Sequence, residues 1–232
     1  MNVIILCGGL STRLGDITKA VPKILLPIGE KTVLDWQLDM LKSLGISDVV
    51  LAAGHLSDVL KAEVGEERNG MNLIHVVEEK KLGTGGAIKH AMTYVPNPEE
   101  VTVILNGDIL ADIDLADMLS QVKPESEGML LGTRVDNVST YGTLEYDDTG
   151  HLKAFKEKEG IHKPGYINGG VYLFTPHAKK HFPAVDTFSI EYDVFPNMKN
   201  LYVYESDKPW IDVGVPERLE WAREHWKNIY NS

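Results

Sequence analysis

The order of apolar and polar residues predicts alternating strands and helices in the first half of the chain. Segments with the pattern of buried strands occupy residues 2–7, 48–53, 72–77 and 101–105. Segments predicted to be helical alternate with them, over residues 32–44, 56–63 and 85–94. The first of these helices has a capping-box pattern at Thr32 and Asp35 and a stop signal at Gly45. This alternation predicts a parallel sheet with right-handed crossovers, flanked by helices.

The second half of the chain has a different pattern. Residues 141–146 and 151–156 flank a polar turn that ends in Gly150, which is typical of an antiparallel hairpin. Further strands are predicted at residues 128–133, 167–174 and 200–205, and a helix is predicted after Pro216. The fold class that follows is α/β, a Rossmann-like mixed and mainly parallel sheet with an antiparallel part. We expect a single domain over residues 1–232.

Composition narrows the classes of partner. The formal net charge of −11 argues against nucleic acid and anionic membranes, because these surfaces require clustered cations. A single cysteine, Cys7, precludes an intrachain disulfide, and its place at the end of a buried strand favours a structural role over a nucleophilic one. The first residues lack a secretory leader pattern, and no apolar run reaches membrane-spanning length. We therefore expect a cytoplasmic protein.

The loop after the first strand carries the first candidate chemistry. It has the sequence Gly8-Gly9-Leu10-Ser11-Thr12-Arg13-Leu14 and is followed by Pro22-Lys23. Glycines let backbone N–H groups approach an anion, and arginine offers a planar fork for phosphate oxygens. The spacing differs from the dinucleotide fingerprint and from the P-loop. We interpret the loop as a nucleoside-triphosphate cradle, with Lys19 nearby; the alternative is a simple turn with solvated charges.

Two aspartates are candidate metal ligands. Asp108 lies just beyond the apolar strand 101–105, and Asp212 lies in the apolar segment Trp210-Ile211-Asp212-Val213-Gly214. Because Mg²⁺ prefers a few carboxylates and completes its octahedron with phosphate oxygens and water, this pair predicts a magnesium site. Taken separately, each aspartate could equally be a turn or cap residue.

Three further segments are candidate binding elements. Gly83-Thr84-Gly85-Gly86 forms a glycine-rich junction between a strand and a helix, where backbone could approach a flat base. Lys158 follows the predicted hairpin and could meet an incoming phosphate. Asn168 and the two glycines after it interrupt a strand, which indicates close approach of a ligand.

Taken in order, these motifs resemble the signature of the sugar-1-phosphate nucleotidyltransferases. The resemblance spans nearly the whole chain and rests on Gly8 to Leu14, Pro22-Lys23, Leu82-Gly83-Thr84-Gly85-Gly86-Ala87, Asn106-Gly107-Asp108, Tyr141-Gly142, Glu157-Lys158, Asn168-Gly169-Gly170 and Ile211-Asp212-Val213-Gly214. Within this family the chain most resembles the short guanylyltransferases that act on D-glycero-α-D-manno-heptose 1-phosphate, which also have the segment Phe188-Ser189-Ile190-Glu191. It departs from the family pattern at Ser11, where glycine is frequent, and at Ile24, where proline is usual.

The resemblance implies a reaction and a role for each motif. A sugar-1-phosphate oxygen would attack the α-phosphate of a nucleoside triphosphate and expel pyrophosphate, with Mg²⁺ as cofactor. The implied catalytic residues are Arg13, Lys23 and Lys158, and the implied metal ligands are Asp108 and Asp212. The implied nucleotide-binding residues are Leu6, Gly8, Gly9, Arg13, Lys23, Gly83, Thr84 and Asp108, within residues 1–112. The implied residues for the sugar phosphate are Gly142, Glu157, Lys158 and Asn168, within residues 113–232.

Base and sugar remain open at this point. GTP and D-glycero-α-D-manno-heptose 1-phosphate are the favoured pair, and a uridylyltransferase or a mannose-1-phosphate guanylyltransferase is the alternative, because substrate choice depends on a few pocket contacts. A non-catalytic, nucleotide-sugar-sensing subunit is the alternative from another class. A homodimer is possible.

Overall fold

The computed structural model describes residues 1–9, 11–42, 44–156 and 160–230. Its strands are β1 (Asn2–Leu6), β2 (Pro27–Ile28), β3 (Lys31–Thr32), β4 (Asp48–Ala53), β5 (Glu67–Arg68), β6 (Met71–Val77), β7 (Thr102–Asn106), β8 (Ile109–Ala111), β9 (Gly128–Val135), β10 (Thr143–Tyr146), β11 (Leu152–Lys156), β12 (Gly165–Phe174), β13 (Leu201–Ser206) and β14 (Trp210–Asp212). Its α-helices are α1 (Val33–Lys42), α2 (Ser57–Val64), α3 (Gly83–Ala91), α4 (Leu115–Ser120), α5 (Ile190–Asp193) and α6 (Pro216–Tyr230). Short 3₁₀ helices cover Thr12–Thr18, Lys23–Leu25, Pro176–His181 and Phe195–Asn197.

The central sheet is mixed and parallel in its first half. Strands β6, β4, β1 and β7 are adjacent and parallel, with Ile4 of β1 opposite Val50 on one side and Ile104 on the other. Strand β12 then pairs antiparallel with β7, and β9 and β13 extend the sheet beyond it. The hairpin β10–β11 joins β12 through Thr143 and Ile167. The predicted mainly parallel α/β sheet with an antiparallel part is therefore confirmed.

Helix α1 covers one face of the sheet and begins where its capping box predicts. The Thr32 backbone N–H donates to Asp35 Oδ2 at 3.0 Å, and the Asp35 N–H donates back to Thr32 Oγ1 at 3.2 Å. Arg68 adds two charge-assisted hydrogen bonds to the same carboxylate, at 2.7 and 2.9 Å. The apolar stripe of α1 is fully buried in the larger core, which it shares with α2 and α6.

Helix α3 covers the opposite face and lies against the segment before α5. The Phe188 carbonyl accepts hydrogen bonds from the Gly85 and Gly86 N–H groups at 3.1 and 3.4 Å. Side chains at Gly85 or Gly86 would overlap Phe188 or the Asp186 carbonyl, so only glycine allows this close contact. A second apolar core, built around Tyr172 and Phe174, lies between α3 and the sheet.

The predicted strands and long helices are present with ends shifted by a few residues. The short elements β8, β14 and α4 were not predicted, because segments of three to six residues carry too little periodicity to be recognised. Among the described residues, no helix is long and apolar enough to cross a membrane.

Candidate active site

The carboxyl ends of the four adjacent parallel strands border a cleft of about 800 Å³. The chain leaves β1 toward β4 on one side and later returns to β7 on the other, so the cleft lies at the switch point of the sheet, where α/β folds bind ligands. The cleft is lined by all eight residues that the resemblance assigns to the nucleotide, namely Leu6, Gly8, Gly9, Arg13, Lys23, Gly83, Thr84 and Asp108.

The loop after β1 is held by its own backbone. Ser11 has a left-handed conformation with φ of 49°, which accounts for the preference for glycine at this position in the resembled family. Its carbonyl accepts hydrogen bonds from the Leu14 N–H at 2.9 Å and from Thr18 Oγ1 at 3.2 Å. Leu14 and Thr18 are buried, whereas Arg13, directly before Leu14, is exposed at the cleft. The turn therefore presents the guanidinium to a ligand.

Asp108 follows the end of β7 and is paired with Lys23. Lys23 Nζ lies 2.5 Å from Asp108 Oδ2, and each side chain is 19% exposed. The turn that carries Asp108 is bracketed by the buried side chain of Gln37, whose Nε2 donates to the Asn106 carbonyl at 2.9 Å and to the Ile109 carbonyl at 3.0 Å. Helix α1 thus fixes the loop that presents the carboxylate.

Asp212 is brought beside Asp108 by the pairing of β14 with β8. The Val213 N–H donates to the Asp108 carbonyl at 2.8 Å. Arg218 of α6 donates to Asp212 twice, to the carboxylate at 2.6 Å and to the main-chain carbonyl at 3.0 Å. Burial and the nearby Asp212 carboxylate raise the pKa of Tyr141 to about 12. The phenol therefore stays protonated at neutral pH.

Three charged groups converge on Gly214, which follows Asp212. A methyl group placed on Gly214 would lie 2.9 Å from Asp212 Oδ1, 3.2 Å from Arg13 Nη2 and 3.5 Å from Asp108 Oδ2. This end of the cleft therefore combines two carboxylates with the cations of Arg13 and Lys23. Such a mixture of charges suits a metal ion together with phosphate groups.

The carboxylate oxygens of Asp108 and Asp212 are ligands of the type that Mg²⁺ prefers. Within residues 1–9, 11–42, 44–156 and 160–230, no group of three or more histidine, cysteine or carboxylate side chains could hold a metal by itself. Two carboxylates that face the same glycine leave the other coordination positions to phosphate oxygens and water, which is the usual arrangement for Mg²⁺ with a nucleotide.

The glycine-rich junction forms the wall opposite the loop. Gly83 has φ of 75° and begins α3 beside the Phe188 carbonyl. The Thr84 hydroxyl accepts the Ile190 N–H at 3.1 Å and donates to Glu191 Oε2 at 2.9 Å. The side chain of Thr84 thus ties α3 to α5 across the edge of the cleft.

Of the four residues expected to bind the sugar phosphate, Gly142 and Asn168 are among the residues that the structure describes. Gly142 packs against the ring of Phe155, and Asn168 braces the bulge of β12 by donating to the Tyr172 hydroxyl at 2.9 Å and accepting the Gly170 N–H at 3.1 Å. The bulge adjoins the end of β7, since Gly170 lies against Asn106. Glu157 and Lys158 lie outside the described residues.

Other residues noted in the sequence have ordinary surroundings. Lys19 is three-quarters exposed and pairs with Asp16 at 2.5 Å, away from the residues that line the cleft. Burial raises the pKa of the Cys7 thiol to about 12, so it is not a thiolate at neutral pH. His55 is exposed at the rim of the cleft.

Sequence reasoning missed Gln37, Glu78 and Arg218. A buried glutamine within a helix and an arginine six residues after Asp212 carry no recognisable spacing signal. Glu78 did carry one, because it lies just beyond the end of a parallel strand, as Asp108 does. The same reasoning that selected Asp108 could have selected it.

Comparison with known proteins identifies the family to which this chain belongs. The chain is 37% identical over 219 residues to a D-glycero-α-D-manno-heptose 1-phosphate guanylyltransferase of Campylobacter jejuni, covering 94% of this chain and 96% of that protein. It is 33% identical over 224 residues to mannose-1-phosphate guanyltransferase beta-A of Xenopus laevis, covering 94% of this chain and spanning 62% of that longer protein. The crystal structure of HddC from Yersinia pseudotuberculosis complexed with GMP-PN superposes with a TM-score of 0.85 at 29% identity, covering 97% of this chain and 99% of that one. A family model described as nucleotidyl transferase matches residues 2–228. The chain therefore belongs to the nucleotidyl transferase family.

Proposed function

We propose that this chain transfers guanosine monophosphate from GTP to D-glycero-α-D-manno-heptose 1-phosphate, in a magnesium-dependent reaction. The observation that carries the proposal is the convergence of Arg13, Asp108 and Asp212 on Gly214 at one end of a cleft lined by glycines. The similarity to a heptose-1-phosphate guanylyltransferase over nearly the whole of both chains supports this choice of substrates.

The reaction requires two anions to meet in line. An oxygen of the sugar phosphate forms a bond to the α-phosphorus of GTP, and the bond from that phosphorus to the bridging oxygen of the β-phosphate breaks, releasing pyrophosphate. No protein nucleophile is needed. Catalysis therefore consists of positioning and charge neutralisation.

The described residues supply both of these contributions. Backbone N–H groups at Gly8 and Gly9 and the guanidinium of Arg13 would bind triphosphate oxygens, and Lys23 would exchange its contact with Asp108 for a phosphate. Asp108 and Asp212 would hold Mg²⁺, which supplies positive charge against the phosphates when bound. Asn168 would border the sugar.

Two parts of the proposal rest on the resemblance. Glu157 and Lys158 would contact the sugar phosphate, and residues 113–232 would act as the half that binds it, whereas residues 1–112 would act as the half that binds the nucleotide. The charge of Lys158 suits a phosphate. Transfer to mannose 1-phosphate is the second candidate, which the similarity to the mannose-1-phosphate guanyltransferase favours.

The experiment that tests the proposal is pyrophosphate release with and without Mg²⁺. The purified chain is assayed with GTP, UTP, ATP, CTP and dTTP against heptose, mannose and glucose 1-phosphates. We expect turnover that is greatest with GTP and the heptose 1-phosphate and that stops when the metal is chelated. Absence of turnover with every pair would contradict the enzymatic proposal and favour a nucleotide-sugar-sensing subunit.

A further inference from the structure

Arg218 lies in the first turn of α6, which begins at Pro216. The dipole of a helix disfavours a positive charge in this turn, so an arginine here needs a compensating anion. That anion is Asp212: Arg218 Nη2 donates to Asp212 Oδ1 at 2.6 Å, and Nε donates to the Asp212 main-chain carbonyl at 3.0 Å. The two side chains are 23% and 13% exposed, so water screens the pair only in part. Arg218 is thus a fixed counter-ion of Asp212.

The Arg218 guanidinium is also held by an aromatic ring. Its Cζ lies 5.3 Å from the centroid of the Tyr141 ring, and the Tyr141 hydroxyl hydrogen-bonds to Asp212. A cation over the face of a tyrosine is attracted by the electrons of the ring. The contacts of Arg218 with the ring and with the main-chain carbonyl do not depend on how the Asp212 carboxylate is turned. Arg218 would therefore remain close to any cation that this carboxylate binds.

The Asp212 oxygen that pairs with Arg218 is also the one nearest to the glycine that the two aspartates share. A Cβ placed on Gly214 would lie 2.9 Å from Asp212 Oδ1 and 3.5 Å from Asp108 Oδ2. Asp108 Oδ2 is in turn the oxygen that pairs with Lys23. The oxygens that a shared metal ion would use are therefore the ones that already have cations beside them.

We propose that Arg218 prevents Asp212 from binding a divalent cation until the nucleotide is present. This inference rests on the proposed function and names a positioning residue that sets the order in which metal and nucleotide bind. With Arg13 Nη2 only 3.2 Å from the same Cβ position, three cations surround two carboxylates, so a free Mg²⁺ ion gains little there. A triphosphate brings negative charge of its own, which restores the attraction for the metal.

The test measures metal binding without nucleotide or sugar phosphate. Mn²⁺ serves as the probe, because it suits carboxylate ligands and its free form is counted by electron paramagnetic resonance. Arg218→Met removes the charge but keeps an unbranched side chain that can cover Tyr141, whereas Arg218→Lys keeps the charge. We expect Arg218→Met to bind Mn²⁺ on the order of 10-fold more tightly than the unmodified protein does, and Arg218→Lys to bind it as weakly as the unmodified protein.

The gain in Mn²⁺ affinity must depend on Asp212. Combining Arg218→Met with Asp212→Asn should abolish it. Arg218→Gln, which keeps a hydrogen-bond donor without the charge, takes the place of Arg218→Met if that variant does not fold. Equal, weaker or undetectable binding of Mn²⁺ by the uncharged variant would overturn the inference.

Thermal unfolding gives an independent readout. Without metal, Arg218→Met should lower the Tm by roughly 3–8 °C, because the Asp212 carboxylate loses its charged partner. Saturating Mn²⁺ should narrow this difference, since tighter binding gives the variant a larger metal-induced rise in Tm. A difference in Tm that is the same with and without Mn²⁺ would reduce Arg218 to a structural contact and contradict the proposal.

The matched control is Arg223→Met on the same helix. Arg223 makes the same kinds of contact, to the Glu220 carboxylate at 2.6 Å and to the Pro27 carbonyl at 3.2 Å. Its replacement should leave the Mn²⁺ affinity unchanged and alter the Tm equally with and without metal. None of these measurements requires turnover. If no pair of nucleotide and sugar 1-phosphate is used, the proposed function fails, and the Mn²⁺ results still decide the role of Arg218.

Discussion

At the scale of single residues, the buried side chain of Gln37 holds the loop that carries Asp108. Gln37 is 2% exposed and donates to two carbonyls on either side of the turn. Gln37→Leu should leave these buried carbonyls unpaired and lower the free energy of unfolding by roughly 1–3 kcal/mol. Because Asp108 would be held less firmly, we also expect half-saturation by Mg²⁺ to need a higher concentration. Urea unfolding and a magnesium titration of pyrophosphate release measure the two effects.

The matched control for this prediction is Gln121→Leu. Gln121 is exposed at the end of α4 and donates to Asp117 on the same helix at 3.0 Å. Its replacement should change neither quantity. An unchanged magnesium titration in Gln37→Leu would contradict the positioning role.

The two aspartates that we propose as metal ligands give a second prediction at the residue scale. Asp108→Asn and Asp212→Asn should each lower turnover by roughly 100-fold or more, because one charge against the phosphates is lost while side-chain size is retained. Pyrophosphate release measures turnover, and circular dichroism checks that the fold persists. The exposed Asp136→Asn serves as control. Near-normal rates in either variant would exclude its metal role.

The sequence was sufficient for some residues of the site and not for others. Asp108 and the glycines of the first loop each lie just beyond a recognisable apolar strand, so their meeting at the carboxyl edge of a parallel sheet was predictable. Gln37 contacts carbonyls that are 69 and 72 positions away in the sequence, and only the folded sheet brings it to them, whereas Arg218 lies six residues after Asp212 at a spacing that carries no recognisable signal. Arg218 reaches Asp212 because α6 begins where β14 ends.

At the scale of elements, the start of α1 links stability to pH. Burial acts to raise the pKa of Asp35, but hydrogen bonds from Arg68 and Thr32 outweigh it and lower the pKa to about 2. Because the folded value is below the ordinary value of about 3.9, the stabilisation is complete above about pH 5 and is lost as pH falls toward 2.

This linkage predicts the behaviour of Asp35→Asn. At pH 7 the variant should unfold with a free energy about 2 kcal/mol lower, and the difference should shrink as the pH falls below 4. Urea unfolding at pH 7, 4 and 3 measures it, with Asp136→Asn as the exposed control. A difference that is the same at every pH would contradict the assignment to the ionised carboxylate.

The close contact between α3 and the segment before α5 predicts that alanine at Gly86 destabilises the protein, although alanine favours helices more than glycine does. Alanine normally stabilises a helix by about 1 kcal/mol relative to glycine. At Gly86, however, the new methyl group would overlap the Asp186 carbonyl. Gly86→Ala should therefore destabilise the protein by roughly 1–3 kcal/mol. Thermal unfolding tests this, and Gly9→Ala, which meets only open space, should have little effect on stability.

The positions of the strands in the sequence were more predictable than their order within the sheet. Apolar runs and helical spacing located the main elements because these patterns are local. Pairing of β12 with β7, and of β9 with β13, joins segments far apart in sequence, for which no local pattern exists. The hairpin β10–β11 was predictable because its turn is short and contains Gly150.

At the scale of the whole molecule, the sheet and the last helix join the two halves of the chain. Strand β12 pairs with β7 across the boundary, and Tyr230 of α6 stacks on Trp36 of α1 with ring centroids 4.3 Å apart. We expect one cooperative unfolding transition, with coincident curves for tryptophan fluorescence and far-ultraviolet circular dichroism. Two separate transitions would show that the halves fold independently. The cytoplasmic location and the possible homodimer stay predictions.

The order of strands along the cleft also has a consequence for how this activity could diversify. Glu78 and Asp108 follow different strands, and hydrogen bonding between strands fixes their separation. Changes in loop length would leave that separation unaltered. One rigid frame of paired strands therefore holds the two ends of the cleft apart. A substitution beyond β6 can alter one end of the cleft while the groups beyond β7 keep their places.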